Sequence, residues 1–91
     1  KGGREGKITI AYILNDDAEV VISIYDLLGN LVKEVKLSRG QKGAQMGSNY
    51  FEWDGRNDLG GIVSKGGYIV RIKASSPKGS STITKKIGVI H

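Results

Sequence analysis

The chain has no cysteine, one proline (Pro77) and one histidine (His91). Without cysteine no disulfide braces the fold, and no thiolate is available as a nucleophile or soft metal ligand. With the only imidazole at position 91, the serines lack a histidine partner within the body of the chain and are simple hydroxyls. No run approaches the ~20 apolar residues that a membrane-spanning helix needs. No segment shows a 3.6-residue apolar period. An N-terminal export signal is also missing, and Lys1 stands where an initiator methionine would. The chain therefore reads as a single module, residues 1–91, excised from a longer protein that carries its own targeting signal. His91 is then either native or the remnant of a tag.

Ninety-one residues with a hydrophobic share of 38% are enough for one core. A domain of this size buries roughly two-thirds of its unfolded surface. The 14 glycines are about twice the usual ~7% share and follow no period, which suits tight turns between short strands. A two-residue alternation dominates. Ile8, Ile10, Tyr12 and Leu14 share one face of a first strand, and Val20, Ile22 and Ile24 one face of a second. Tyr25–Asn30 reads as a hairpin turn with Gly29 in the left-handed region, reversing the chain into 31–37. The muddled frame there (Leu31 beside Val32, then Val35 and Leu37) predicts a bulge near Lys33. Residues 38–47, with three glycines and little apolar content, read as a mobile loop. A strand over 49–53 sets Phe51 and Trp53 on one face. A further strand over 68–74 aligns Tyr68, Val70, Ile72 and Ala74, a proline-containing loop spans 75–81, and a last strand runs from 81 to 90. About seven short strands separated by turn signals predict an all-β, antiparallel β-sandwich of the immunoglobulin or fibronectin-III type.

The most informative stretch is 47–72, GSNYFEWDGRNDLGGIVSKGGYIVRI. An aromatic strand ends at Trp53, which is expected to be a core anchor, and meets Asp54–Gly55. A polar excursion follows until the strand at Tyr68. Asp54, Asn57 and Asp58 are suited to accept from nearby backbone N–H groups, while Gly55, Gly60, Gly61, Gly66 and Gly67 can take positive φ. WDGRNDLG followed by GGYIVRI resembles the immunoglobulin-like module of the flagellar hook-capping (FlgD) family, which recurs as a C-terminal appendage of bacterial secreted proteins. KITIAYIL, VVISIYDLLGNLV and TKKIGVI are similar to the other strands of that family.

The chemistry that remains is sparse. Glu52 and Asp54, two apart on one strand, share a face, but a glycosidase needs its carboxylates across a cleft. No enzyme and no cofactor are expected. Asp54, Asn57 and Asp58, with Asp16 and Asp17 as a second cluster, are weak metal candidates. Calcium takes 6–8 oxygens, and turn capping accounts for such residues without a metal. The balance of 14 Lys and Arg against nine Asp and Glu gives +5. Lys7, Lys33, Lys36, Arg71, Lys73, Lys85 and Lys86 are read as outward charges that discourage edge pairing. Without interleaved aromatics they do not make a specific nucleic-acid site, and attraction to anionic surfaces such as acidic polysaccharide is the better expectation. Tyr25 and Tyr50, outward by alternation, are the candidates for a carbohydrate platform.

The resemblance implies a non-catalytic structural or attachment module of a bacterial exported or cell-surface protein. Its partners would be the rest of the parent chain, secretion machinery or a cell-surface glycan. The IYDLLGN hairpin, the GGY strand and the closing KKI strand also resemble the sorting domains read by the type IX secretion machinery, with Lys85 and Lys86 as the readable residues. The Pro-Asn-Pro lead-in usual there is absent, and KGGREGKITI stands in its place.

Overall fold

A computed structural model describes residues 7–90. The lead-in before Lys7 and the question of His91 lie outside the described residues. Six strands follow one another: β1 Ile8–Leu14, β2 Glu19–Asp26, β3 Leu31–Leu37, β4 Gly47–Trp53, β5 Gly66–Ser76 and β6 Gly79–Val89. They form two antiparallel sheets, β1-β4 and β3-β2-β5-β6. The fold is the all-β immunoglobulin-like sandwich that the alternation predicts, with six strands among the described residues.

Alternation decides which side chains meet. Ile10, Tyr12, Leu14 and Trp53 from the smaller sheet and Val20, Ile22, Ile24, Tyr68, Val70, Ile72 and Ala74 from the larger one are buried in a single core. Because side chains one step apart point to opposite faces, a slip by one residue would expose either set. The predicted bulge is present: Ile24 pairs with Lys33 and Tyr25 with Leu31, leaving Val32 as the extra residue.

Three expectations need correction. The segment from Ser38 to Gly47, read as a mobile loop, is tied down. Ala44 is buried, its N–H donates to the Gln41 carbonyl, and its own carbonyl accepts from Ala18 and Gly40 N–H. The Asp17 carboxylate accepts from Met46 N–H at 2.7 Å, and the Asn49 side chain bonds both Gln45 N–H and Gln45 carbonyl. Glycine content gave the turns but not these long-range partners. The proline-containing loop is also shorter than expected. Ser76 pairs with Gly79, so only Pro77 and Lys78 remain between β5 and β6.

Lys33 and Lys85 are the third correction, because neither lies in the outward frame. Lys33 pairs with the buried Ile24 and Lys85 with the buried Val70. The bulge resets the frame at Lys33, and of two adjacent residues such as Lys85 and Lys86 only one can face out. Both edges of the four-stranded sheet thus carry a lysine on the core side, a device that disfavours edge-to-edge pairing.

Tyr12 crosses the core to donate its hydroxyl to the Gly43 carbonyl at 2.6 Å, the contact that pins the 38–46 segment from within. Burial raises its pKa above the ordinary 10.0. A raised folded-state pKa means that this stabilisation is fully present below pH 10 and lost as pH rises through the folded value. Tyr12→Phe should cost about 1–3 kcal/mol at neutral pH by leaving a carbonyl unpaired. The gap between variant and parent should narrow as denaturation is repeated above pH 10. A gap that stays constant across that range would contradict the assignment.

Candidate functional site

The crossing from β4 to β5, residues 54–65, is held at both ends by core aromatics. Trp53 is fully buried, and its indole Nε1–H donates to the Arg56 carbonyl at 2.9 Å. Tyr68 is buried and donates its hydroxyl to the Ser64 carbonyl at 2.6 Å. The two rings meet edge to face, with centroids 5.6 Å apart and planes at 74°. Each ring supplies apolar area to the core and one polar handle to the crossing. Between these ends the chain makes a small hairpin, with Arg56 bridging Ile62 and Asn57 N–H donating to the Gly61 carbonyl. Gly55 and Gly60, with φ of 75° and 88°, supply the left-handed positions; Gly61 and Gly67 are not needed there.

The candidate metal ligands are turned to protein donors. Asp54 Oδ1 accepts from Arg56 N–H, and Asn57 Oδ1 accepts from both Leu59 and Gly61 N–H. Asp58 works at longer range. Its N–H donates to the Val32 carbonyl, its Oδ2 accepts from Glu34 N–H at 3.1 Å, and its Oδ1 lies 3.8 Å from Lys33 Nζ. It therefore docks the crossing on the bulged edge of β3, a role invisible in a local reading of the motif. In the second cluster, Asp16 lies 3.6 Å from Lys78 Nζ, and Asp17 holds Met46. No group of three His, Cys, Asp or Glu side chains converges among the described residues.

The two candidate platform tyrosines do not make one surface. Tyr25 is on the outer face of the four-stranded sheet and Tyr50, 49% exposed, on the outer face of the other. Each is already matched with a cation: Arg71 over Tyr25 at 5.3 Å and Lys42 over Tyr50 at 5.4 Å. Lys85 and Lys86 are both exposed but on opposite faces of β6, which among the described residues pairs only with β5. Gly29 has the expected positive φ of 92°. The sequence reading passed over Asp26, which organises that turn. Its carboxylate accepts from Asn30 N–H, the Asn30 side chain and Leu28 N–H, and these bonds, the Asn30 pair foremost, hold its pKa below the ordinary value. Asp at the start of a DLLGN turn was the signal for it.

A family model described as the FlgD Ig-like domain matches residues 1–78. The chain belongs to that family. Among solved structures it is similar to FlgD from P. aeruginosa (22% identity, TM-score 0.74, covering 90% of this chain and 61% of that one). FlgD from Xanthomonas campestris, described in connection with hook capping essential for flagellar assembly, gives 20% identity and a TM-score of 0.67 over 92% of this chain and 56% of that one. The dimeric latent PorU of Porphyromonas gingivalis gives 24% identity and a TM-score of 0.70 over 94% of this chain but 8% of that one. The chain thus spans about 60% of the FlgD chains and a small part of PorU. A search of curated proteins finds no match. The resemblance carried by WDGRNDLG and GGYIVRI is borne out at the level of family and fold.

For a FlgD-like module held in this way, two outcomes follow. Trp53→Ala should cost about 3–5 kcal/mol in chemical denaturation, the range for a buried large aromatic, and a loss below about 1 kcal/mol would contradict its anchoring role. The melting temperature should be the same in millimolar calcium and in chelator, since the candidate oxygens are engaged. A ligand at 100 times its dissociation constant would add about 2.7 kcal/mol, so a rise of several degrees that Asp58→Asn abolishes would reveal a metal site.

Proposed function

We propose that this FlgD-like sandwich is a non-catalytic structural and attachment module of a longer bacterial protein that is exported or displayed at the cell surface. The observation that carries this reading is the use made of the distinctive side chains. Trp53 and Tyr68 hold the crossing, Asp58 docks it on β3, and Asp26 and Asn57 close turns. The residues that mark the family build a rigid body rather than a pocket of converging acids and bases, which catalysis requires. The family match supports a structural domain of the FlgD type. Partners would be the remainder of the parent chain and other proteins of an assembly.

A second reading, a sorting domain for type IX secretion, is favoured by the likeness to PorU. It would use β6 as an address, with Lys86 presented outward and Lys85 at the core-side rim. The lysine on the core side of this edge weighs against easy strand addition and toward the spacer reading. The test is a reporter with an export signal fused to residues 1–91, expressed in a host with the type IX machinery, beside the same fusion carrying Lys85→Ser and Lys86→Ser. Such surface changes usually cost under about 0.5 kcal/mol, so the fold is retained. Retention of both fusions in the periplasm is the expected result. Surface display lost only in the substituted fusion would replace the spacer with the sorting domain.

A further inference from the structure

All nine acidic residues of the chain lie at or before Asp58, and Lys65, Arg71, Lys73, Lys78, Lys85 and Lys86 follow it. The first 58 residues hold eight basic and nine acidic groups, so the positive excess lies in the six cations that follow, four of them in β5 and β6. Register concentrates it further. Ile69 pairs with Lys86, Arg71 with Thr84 and Lys73 with Thr82, all in the frame opposite to the buried Val70 and Ile72. Arg71, Lys73 and Lys86 therefore stand on one outer face, interleaved with the hydroxyls of Thr82 and Thr84. Same-face neighbours along a strand are about 6.5–7 Å apart, which suits an extended polymer better than a single ion.

Arg71 is also prepositioned. Its Nη2 donates to the Tyr25 hydroxyl at 2.9 Å while the guanidinium lies over the Tyr25 ring. One of its five donors is thus used for orientation, and the others remain for a planar anion. Beside it runs a groove of about 400 Å³ lined by Tyr25, Leu27, Ile69, Arg71 and Thr84. Asp26 also borders the groove, but both of its carboxylate oxygens are bonded within its own turn.

We propose that this face binds an anionic polysaccharide, a polymer of carboxylated sugars. Arg71 takes a carboxylate, Lys73 and Lys86 take the neighbouring ones, and the threonine hydroxyls meet sugar hydroxyls. A nucleic acid would need a free ring for stacking, and Tyr25, which Arg71 covers, is the one ring on this face among the described residues. An acidic protein would need an apolar centre, whereas the apolar groups here, Ile69 and the exposed Leu27, lie at one end of the row that runs through Arg71 to Lys73. The inference shares only Lys86 with the sorting reading; Arg71 and Lys73, on β5, belong to this face alone.

Polygalacturonate is the probe, titrated at low ionic strength. The variant Arg71→Thr, Lys73→Thr, Lys86→Thr keeps β-propensity and should bind at least about tenfold more weakly, from lost charge-assisted hydrogen bonds. A control losing the same charge elsewhere, Lys7→Thr, Arg39→Thr, Lys42→Thr, should bind like the parent. Tyr25→Phe keeps the ring but frees Arg71, and should weaken binding several-fold while the denaturation midpoint barely moves. Equal weakening in both triple variants would reduce the effect to net charge and overturn the proposal. So would absence of binding by the parent, or displacement by polyglutamate or an oligonucleotide at matched charge as effective as by polygalacturonate itself.

Discussion

The edge-to-face contact between Trp53 and Tyr68 is the interaction on which the rest of the structure depends. The two rings end one sheet and begin the other, since Trp53 closes β4 and Tyr68 opens the buried face of β5. An excursion of a dozen residues between sheets would cost loop-closure entropy and leave backbone groups to be satisfied. Both rings answer this with a polar atom, the indole N–H to Arg56 and the phenol to Ser64, so the crossing is attached to the core at its two ends. The short run WDGRND can therefore be rigid without a large apolar content of its own.

That attachment also controls the edges. Asp58, carried by the crossing, meets the bulge in β3 through Val32, Lys33 and Glu34, so this side of the four-stranded sheet is partly covered. The far side, β6, has no such cover among the described residues. It is protected instead by chemistry, with a lysine in the core-side frame at Lys85 and a basic outer face. An edge defended by charge in this way resists random pairing with other strands.

Much of the fold was legible because strand alternation is a local code. The faces of β1, β2 and β5 follow from Ile10, Tyr12 and Leu14, from Val20, Ile22 and Ile24, and from Tyr68, Val70 and Ile72, without knowledge of partners. The Val32 bulge was legible too, as a break in that code. What failed was reading context into polar residues. The Ser38–Gly47 segment looked loose because its partners, Tyr12 and Asp17, are about 30 residues away. The Tyr25 and Tyr50 platform failed because alternation gives a face within a sheet, not which sheet that face belongs to.

The sequence by itself determined the class of fold, the core stripes and the left-handed turn at Gly29, which rest on nearest-neighbour sterics and apolar periodicity, and it carried the family in the motifs WDGRNDLG and GGYIVRI. Only the tertiary structure decided the destination of each polar group. Asp58 clamps the edge of β3, Lys85 faces the core side, and Arg71 is laid across Tyr25 to complete a basic face. The physical reason is that a carboxylate, an ammonium or a guanidinium is satisfied by any nearby partner of suitable geometry. Which partner is nearby depends on register and sheet packing, through contacts that are distant in the chain.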